Sequence, residues 1–184
     1  MARLILLDRD GVINYDSPDY IKTAEEWHPL PGSIAAIARM KAQGLRVAVC
    51  TNQAGIGRGI IRPAELERIH RKLHGHVAKA GAALDGLIYC PHVPEAHCEC
   101  RKPNPGMLLR MMHDLDCDAK ETLFVGDSLK DVEAARRAGC TPVLVRTGNG
   151  ANAETRARAL GVTCVADDLA AVAAALADGA SCAI

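Results

Sequence analysis

Two aspartates lie directly after a short apolar run near the start of the chain. Leu4–Leu7 are all aliphatic, Asp8 and Asp10 follow with one residue between them, and Gly11 comes next. The run is typical of a strand buried on both faces, and an extended chain directs Asp8 and Asp10 to the same side. Two carboxylates that face one point repel unless a cation, a shared proton or a reacting group lies between them. The pair therefore indicates chemistry, with a solvated Asp-Gly turn as the alternative on these residues alone.

A second group of reactive side chains lies within eleven residues in the middle of the chain. Cys90 and His92 form one pair spaced i, i+2, and Cys98 and Cys100 form another. Three cysteines and one histidine complete a tetrahedral zinc site, and a site filled by protein ligands is structural. We therefore predict that zinc holds the loop of about residues 90–105, with scattered thiols and a surface histidine as the alternative. His97 is expected to be exposed to solvent.

The segments that must position these groups alternate between strand and helix patterns. Glycine stops end several of the helices, and Ser33 is a candidate helix N-cap. Such alternation predicts an α/β fold, a doubly wound (Rossmann-like) parallel sheet with helices on both faces. The predicted strands are 3–7, 46–50, 87–90, 122–125, 142–145 and a short one near 164, and the predicted helices are 33–43, 63–80, 106–115, a helix from just after 127 to 138, and 168–177.

Polar residues follow the ends of the predicted strands. Because the carboxyl ends of parallel strands meet at one edge of a sheet, we expect these side chains to converge. Several carboxylates, a lysine, and hydroxyl and amide groups suit a phosphate bridged to Mg²⁺, with lysine as a point charge for phosphate. The converging residues are Asp8, Asp10, Thr51, Asn52, Lys102, Asp127 and Asp131.

Composition limits the class of protein. The 184 residues fit one domain, 1–184, and 22 basic residues balance 22 acidic ones. Without a basic patch, nucleic acid and anionic membrane surfaces are not expected as partners. No segment has the length of a membrane span or the pattern of a signal peptide, so we expect a cytoplasmic protein. A monomer is expected, because no large exposed apolar stripe is visible.

The cysteines outside the zinc pattern have no partner pattern. In the cytoplasm they are expected as buried thiols rather than disulfides, apart from one in the tail. Residues 179–184 are expected to form a frayed tail. The cysteines in question are Cys50, Cys117, Cys140, Cys164 and, in the tail, Cys182.

Four motifs in order resemble those of the haloacid dehalogenase superfamily of phosphatases. They are Asp8–Gly11, Thr51 after an apolar strand, Lys102, and Gly126–Asp131. The resemblance covers nearly the whole chain. It implies that Asp8 attacks phosphorus and forms an aspartyl-phosphate, and that Asp10 protonates the leaving alcohol and then activates water.

The same resemblance implies the remaining roles in the site. Asp8, the backbone carbonyl of Asp10 and Asp127 would hold Mg²⁺. Thr51 and Lys102 would stabilise the transferring phosphoryl group. Asp131 would orient either Lys102 or a metal-bound water.

The zinc pattern narrows the resemblance. Cys-Pro-His at 90–92 and Cys-Glu-Cys-Arg-Lys-Pro at 98–103 resemble the heptose-bisphosphate and histidinol-phosphate phosphatase subfamily. Zinc would then position Arg101 and Lys102 over the site. Neither the segment from Asn14 to Tyr20 nor the zinc loop is long enough for a large cap domain, so an open site is expected.

The resemblance favours a phosphorylated sugar as substrate, with hydrolysis of the 7-phosphate of a heptose 1,7-bisphosphate for lipopolysaccharide core synthesis. Histidinol phosphate is the alternative, followed by a nucleic-acid 3′-phosphatase and a zinc-stabilised binding module without catalysis. Arg58 is a candidate for the remote phosphate or an ordinary loop arginine, and Arg101 is a candidate for either phosphate. The candidate substrate-binding residues are Asp16, Ser17, Tyr20, Asn52, Gln53, Arg58 and Arg101.

Overall fold

The fold is built on a six-stranded parallel sheet in a computed structural model that describes residues 2–178. The strands are β1 (Leu4–Leu7), β2 (Arg46–Asn52), β3 (Gly86–Cys90), β4 (Thr122–Gly126), β5 (Thr141–Val145) and β6 (Cys164–Ala166). They lie in the order β3-β2-β1-β4-β5-β6, and all neighbours are parallel. The predicted parallel sheet is confirmed, whereas the predicted tail, with Cys182, lies outside the described residues.

Helices cover both faces of the sheet because each strand alternates its apolar side chains between them. The helices are α1 (Ser33–Ala42), α2 (Ala54–Gly57), α3 (Pro63–Lys79), α4 (Gly106–Asp114), α5 (Leu129–Ala138), α6 (Gly150–Ala159) and α7 (Leu169–Ala177). Ile5 and Leu7 of β1 face a core shared with α1, α3 and α7. Leu4 and Leu6 face the opposite core, shared with α4 and α5.

The sequence pattern missed the short helix α2 and the longer helix α6. In α6 only Gly150 and Ala157 are buried, and no side chain caps its first turn. A helix with so narrow an apolar face gives almost no periodic signal. Its buried side rests instead on a small cluster that includes Leu144 and Val165.

The prediction that Ser33 caps α1 is wrong. The N-cap residue is Gly32, which has φ of +77°, a conformation that favours glycine. Ser33 is the first residue of the helix, and its buried hydroxyl donates to the carbonyl oxygen of Ile13 at 2.6 Å. This bond attaches α1 to the loop that follows β1.

Long connections without a domain of their own follow β1 and β3. Residues 8–32 and 91–105 contain only turns, bridges and a short 3₁₀ turn at Pro94–Ala96. Within residues 2–178 no segment forms a large cap over the sheet, as predicted. None of the described helices is long and apolar enough to cross a membrane.

Two helix glycines predict opposite responses to the same substitution. A Cβ on Gly150 would lie 1.6 Å from the carbonyl oxygen of Val145, whereas Gly75, inside α3, has nothing within 4 Å of such a Cβ. We expect Gly150→Ala to lower the free energy of unfolding by about 1–3 kcal/mol, because backbone must move. Gly75→Ala should raise it by about 1 kcal/mol. Urea denaturation measures both, and changes of the same sign would contradict this packing.

Candidate active site

The strand order places Asp8 and Asp127 at the point where the sheet changes direction. The chain runs outward from β1 to β2 and β3, then returns to β4 on the other side of β1. Crevices at such a switch point bind ligands in open α/β sheets. Asp8 directly follows β1, Asp127 directly follows β4, and both line a cavity of about 540 Å³. The predicted convergence of polar strand ends is confirmed here.

A buried ion triad joins three separate segments of the chain. Lys102 Nζ lies 2.9 Å from Asp8 Oδ1 and 2.6 Å from Asp131 Oδ1, and the Lys102 side chain is 2% exposed. Burial alone would lower the pKa of Lys102, but Asp131 and Asp8 outweigh burial and raise it above its ordinary value. Lys102 therefore remains a cation beside Asp8.

The orientation of Asp131 comes from the first turn of α5. Its Oδ2 accepts hydrogen bonds from the backbone N–H of Ser128 at 3.1 Å and from the Ser128 hydroxyl at 2.5 Å. Gly126 allows this approach, because a Cβ there would lie 2.2 Å from the Asp131 Cβ. Of the two roles considered for Asp131, contact with Lys102 is the one that these distances favour.

Asp8 and Asp127 form a crowded acidic cluster with Asp131, in which one ligand atom from each lies within 4.8 Å of the others. Burial raises the pKa of Asp8 to about 8, and the neighbouring carboxylates add to this against the effect of Lys102. Burial and Asp131 also raise the pKa of Asp127 to about 6. A nearby cation stabilises the ionised form of carboxylates whose pKa is raised in this way. A few carboxylate oxygens are also the ligands that suit Mg²⁺. The donor set therefore fits the predicted metal.

Two glycines hold Asp127 at this cluster. Cβ atoms on Gly11 or Gly148 would each lie 2.2 Å from Asp127 Oδ2, and both residues have positive φ. The backbone N–H of Asn149 donates to the same oxygen at 2.8 Å. Only residues without a side chain allow the two loops to approach Asp127 so closely.

Asp10 lies in a different environment from Asp8, although only one residue separates them. Arg9 donates to both of its oxygens through Nη2, at 2.9 and 3.0 Å, and through Nε at 3.0 Å. Asn14 donates at 2.8 Å and Gln53 at 2.9 Å. Burial would raise the pKa of Asp10, but Arg9 and the two amides outweigh it and hold the pKa below its ordinary value.

The sequence prediction missed Arg9 and His70. The Arg9 side chain is fully buried, and its Nη1 lies 3.3 Å from Nε2 of His70, which projects from α3. Burial and, to a smaller extent, the positive charge of Arg9 lower the pKa of His70 to about 3. One feature of the sequence could have indicated this contact. Arg9 lies between the two aspartates that follow an apolar run, and an arginine that is buried there needs a partner.

The predicted substrate-binding residues all line the cavity, and several also make internal contacts. Asn52 donates to the Lys102 carbonyl and accepts from the Lys102 N–H, each at 3.1 Å. Gln53 donates to the buried Thr51 hydroxyl at 3.0 Å as well as to Asp10. Arg101 donates to the His92 carbonyl at 3.1 Å. The cavity lining includes Asp16, Ser17, Tyr20, Asn52, Gln53, Arg58 and Arg101.

The opposite wall of the cavity was not predicted. Asn152 and Arg156 come from α6, the helix without a periodic signal, and Lys130 comes from the first turn of α5. Lys130 and Arg156 are exposed. The cavity therefore presents basic side chains on both sides.

The four predicted zinc ligands lie together at the end of β3. Their Sγ–Sγ distances are 3.3, 3.4 and 3.6 Å, and His92 Nδ1 lies 3.5 Å from Cys90 Sγ and 3.3 Å from Cys100 Sγ. Zn–S bonds of about 2.3 Å in a tetrahedron give S–S separations of about 3.8 Å, close to these. The cluster therefore fits a structural zinc ion. His97 is exposed, as expected.

The other cysteines of the described chain form no disulfide. Cys50, Cys140 and Cys164 are buried, which confirms the prediction for them, and Cys117 is half-buried. They are therefore separate from the zinc cluster.

Removal of one zinc ligand should disorder the loop without unfolding the sheet. We expect Cys98→Ser to lower zinc affinity at least about tenfold. Hydrolysis of phosphate esters, the activity that the resemblance implies, should fall too, because Lys102 follows the last ligand by two residues. Metal analysis, far-UV circular dichroism and phosphate release measure the three effects. Cys117→Ser is the control, and full activity after verified zinc loss would contradict a positioning role.

The neutral state of His70 predicts an acid-sensitive stability. The ring has a pKa of about 6.5 when unfolded and about 3 when folded. As pH falls below about 6.5, the unfolded state takes up a proton that the folded state does not, so the free energy of unfolding decreases. Urea denaturation between about pH 7 and pH 5 should show a smaller decrease for His70→Gln than for the wild type. The exposed His28, in the loop between β1 and α1, provides the control variant His28→Gln, which tests the effect of removing a surface histidine.

Comparison with known proteins connects this geometry to a family. The profile of the HAD-hydrolase-like family matches residues 99–172, which include Lys102, Asp127 and Asp131. A D-glycero-beta-D-manno-heptose-1,7-bisphosphate 7-phosphatase from Pseudomonas aeruginosa is 51% identical over 94% of this chain and 97% of its own length.

Solved structures agree with this similarity. D,D-heptose 1,7-bisphosphate phosphatase from B. bronchiseptica, in complex with magnesium and phosphate, superimposes with a TM-score of 0.89 at 45% identity, over 96% of this chain and 99% of that one. The corresponding enzyme from Burkholderia thailandensis gives 0.71 at 36% identity, over 95% and 98%. This chain therefore belongs to the haloacid dehalogenase-like hydrolases and, among them, to the family of the heptose-bisphosphate phosphatases.

Proposed function

We propose that this chain removes the 7-phosphate of D-glycero-β-D-manno-heptose 1,7-bisphosphate. The observation that carries the proposal is the pairing of Asp8 with Lys102 at 2.9 Å, within the lining of a cavity that also has basic residues on both sides. Lys102 can neutralise a phosphoryl oxygen while the Asp8 carboxylate attacks phosphorus. Three relatives at 46–51% identity carry the same activity in their names.

The first half of the reaction transfers the phosphoryl group to Asp8. The carboxylate oxygen of Asp8 forms a bond to phosphorus, and the bond from phosphorus to the C7 oxygen breaks. Asp10 is a carboxylate in the site without substrate, so it must take up a proton as the substrate binds. It then gives that proton to the departing alkoxide, and the sugar leaves as an alcohol. Lys102 and the Thr51 hydroxyl stabilise the charge on the transferring group.

The second half regenerates the enzyme. Asp10, now a carboxylate, takes a proton from a water molecule that attacks the aspartyl-phosphate and releases inorganic phosphate. We place Mg²⁺ on Asp8, Asp127 and the Asp10 carbonyl, where it would reduce the repulsion between the Asp8 carboxylate and the incoming phosphate.

A bisphosphate needs a second cationic contact outside the reacting centre. Arg58, in an exposed loop, and Arg101, in the zinc loop, both line the cavity and are our candidates for the phosphate on C1. Asp16, Ser17 and Tyr20 lie on the loop after β1 and offer groups to the sugar hydroxyls. We assign Asn52 and Gln53 to the same wall.

The same residues support a proposal about the domain, the oligomeric state and the location of the enzyme. We infer a single phosphatase domain that acts as a monomer in the cytoplasm, where zinc-binding thiols stay reduced. The substrate is a phosphorylated sugar, and neither nucleic acid nor membrane is expected as a partner. The product would then feed the synthesis of activated heptose for surface polysaccharides.

Substitution of the two aspartates should separate this function from mere binding. Asp8→Asn cannot form the aspartyl-phosphate, so magnesium-dependent phosphate release should fall below detection. Asp10→Asn should lower kcat about 10²–10⁴-fold, because the general acid is lost. Phosphate release from heptose 1,7-bisphosphate measures both, and ³¹P NMR should show that the C1 phosphate remains.

The exposed Asp116, after α4 and outside the cavity lining, provides the control variant Asp116→Asn, which should keep full activity. Comparison of kcat/KM on heptose bisphosphate, histidinol phosphate and a 3′-phosphorylated oligonucleotide tests the substrate. A preference for either of the last two would overturn the proposed substrate, and no turnover of any phosphate ester would overturn the enzyme assignment.

A further inference from the structure

A continuous set of buried contacts runs from Asp10 to helix α3. The fork of the Arg9 guanidinium, Nε and Nη2, contacts both oxygens of Asp10 at 2.9–3.0 Å. The remaining nitrogen, Nη1, contacts His70 Nε2 at 3.3 Å. Arg9 is fully buried, His70 is 9% exposed, and the His70 ring packs on Tyr89 with centroids 5.6 Å apart. The polar groups behind Asp10 are thus closed off from solvent.

The direction of the contact between Arg9 and His70 is fixed by chemistry. A guanidinium only donates hydrogen bonds, so Nε2 of His70 must accept, and the proton of the ring lies on Nδ1. This requires an uncharged ring, which agrees with the low pKa of His70. His70 therefore serves as a neutral acceptor for a buried cation.

We propose that His70 is a positioning residue, which through Arg9 holds the carboxyl group of Asp10 in the place from which a proton taken up on substrate binding passes to the departing alkoxide. The inference rests on the proposed phosphatase function and on the role of Asp10 in it. A two-point fork fixes both the position and the plane of a carboxylate. The fork itself is fixed only if the third nitrogen of the guanidinium has a partner on the opposite side.

Loss of that acceptor has a specific consequence. A buried N–H without a partner is unfavourable, so the guanidinium would turn away from its fork to find another acceptor. Asn14 and Gln53 would still hold one Asp10 oxygen each, so the carboxyl group would be displaced rather than released. The loss should therefore affect proton transfer while leaving Asp8, Lys102 and Asp131 in place.

Two substitutions isolate the acceptor. Gln at position 70 can place an oxygen near the site of Nε2, whereas Leu has a similar size and no acceptor. Neither side chain titrates, so a difference between His70→Gln and His70→Leu reports the hydrogen bond alone. His74→Leu, at an exposed position on the same helix, is the matched control.

Two substrates distinguish a defect in proton transfer from a general loss of activity. The alkoxide of heptose 1,7-bisphosphate needs a proton to leave, whereas the weakly basic phenolate of 2,4-dinitrophenyl phosphate does not. The parameter is kcat/KM, which reports steps up to the formation of the aspartyl-phosphate. For His70→Leu we expect a decrease of about tenfold on the sugar phosphate and less than about twofold on the aryl phosphate. His70→Gln should recover most of the activity, and His74→Leu should match the wild type.

The remaining outcomes would overturn either the inference or the proposed function. Equal losses on both substrates for His70→Leu, or no loss on either, would overturn the inference, as would a Gln variant no better than Leu. Failure of the wild type to hydrolyse either ester would instead overturn the proposed function. Circular dichroism and urea denaturation of each variant identify losses caused by unfolding, and a stable His70→Gln variant with a selective loss on the sugar phosphate would also count against the inference.

Discussion

The buried contact between Lys102 and two carboxylates is the constraint on which the site depends. An unpaired ammonium in this position would cost several kcal/mol in lost hydration, so Lys102 is stable there only beside Asp8 and Asp131. The three residues come from the zinc loop, from the end of β1 and from the first turn of α5. The triad therefore fixes the relative positions of three segments that are remote in sequence, and with Asp127 it leaves excess negative charge that suits a divalent cation.

The zinc cluster lies next to this triad in the chain. Residues 91–105 have little apolar core of their own, and Lys102 follows the last zinc ligand, Cys100, by two residues. Asn52 pairs with the backbone of Lys102 from the end of β2, which attaches the loop to the sheet. In the proposed site, a structural zinc ion would thus contribute to the placement of the cation that faces the phosphate. Loop length alone would not give Lys102 that precision.

Asp8 and Asp10 show how environment separates two identical side chains. Asp8 faces carboxylates, and burial raises its pKa, so its ionisation responds to a cation at the site. Asp10 receives hydrogen bonds from Arg9, Asn14 and Gln53, which keep its pKa low. Pairs of titratable groups with divergent pKa values are typical of acid–base sites. The separation arises because alternate residues after β1 contact different helices and loops.

The sequence by itself determined the α/β class, the strand ends that carry Asp8, Thr51 and Asp127, and the four zinc ligands. These features depend on local spacing, on the alternation of every second residue in a strand and on side-chain chemistry. All three can be identified from neighbouring residues in the sequence. Helix α6, the glycine cap of α1 and the contact between Arg9 and His70 were decided only by the tertiary structure. Each depends on groups far apart in sequence: α6 is held by a small shared cluster, and His70 meets Arg9 across 61 positions. A local sequence pattern does not indicate which buried hydrogen-bond donor will contact which acceptor.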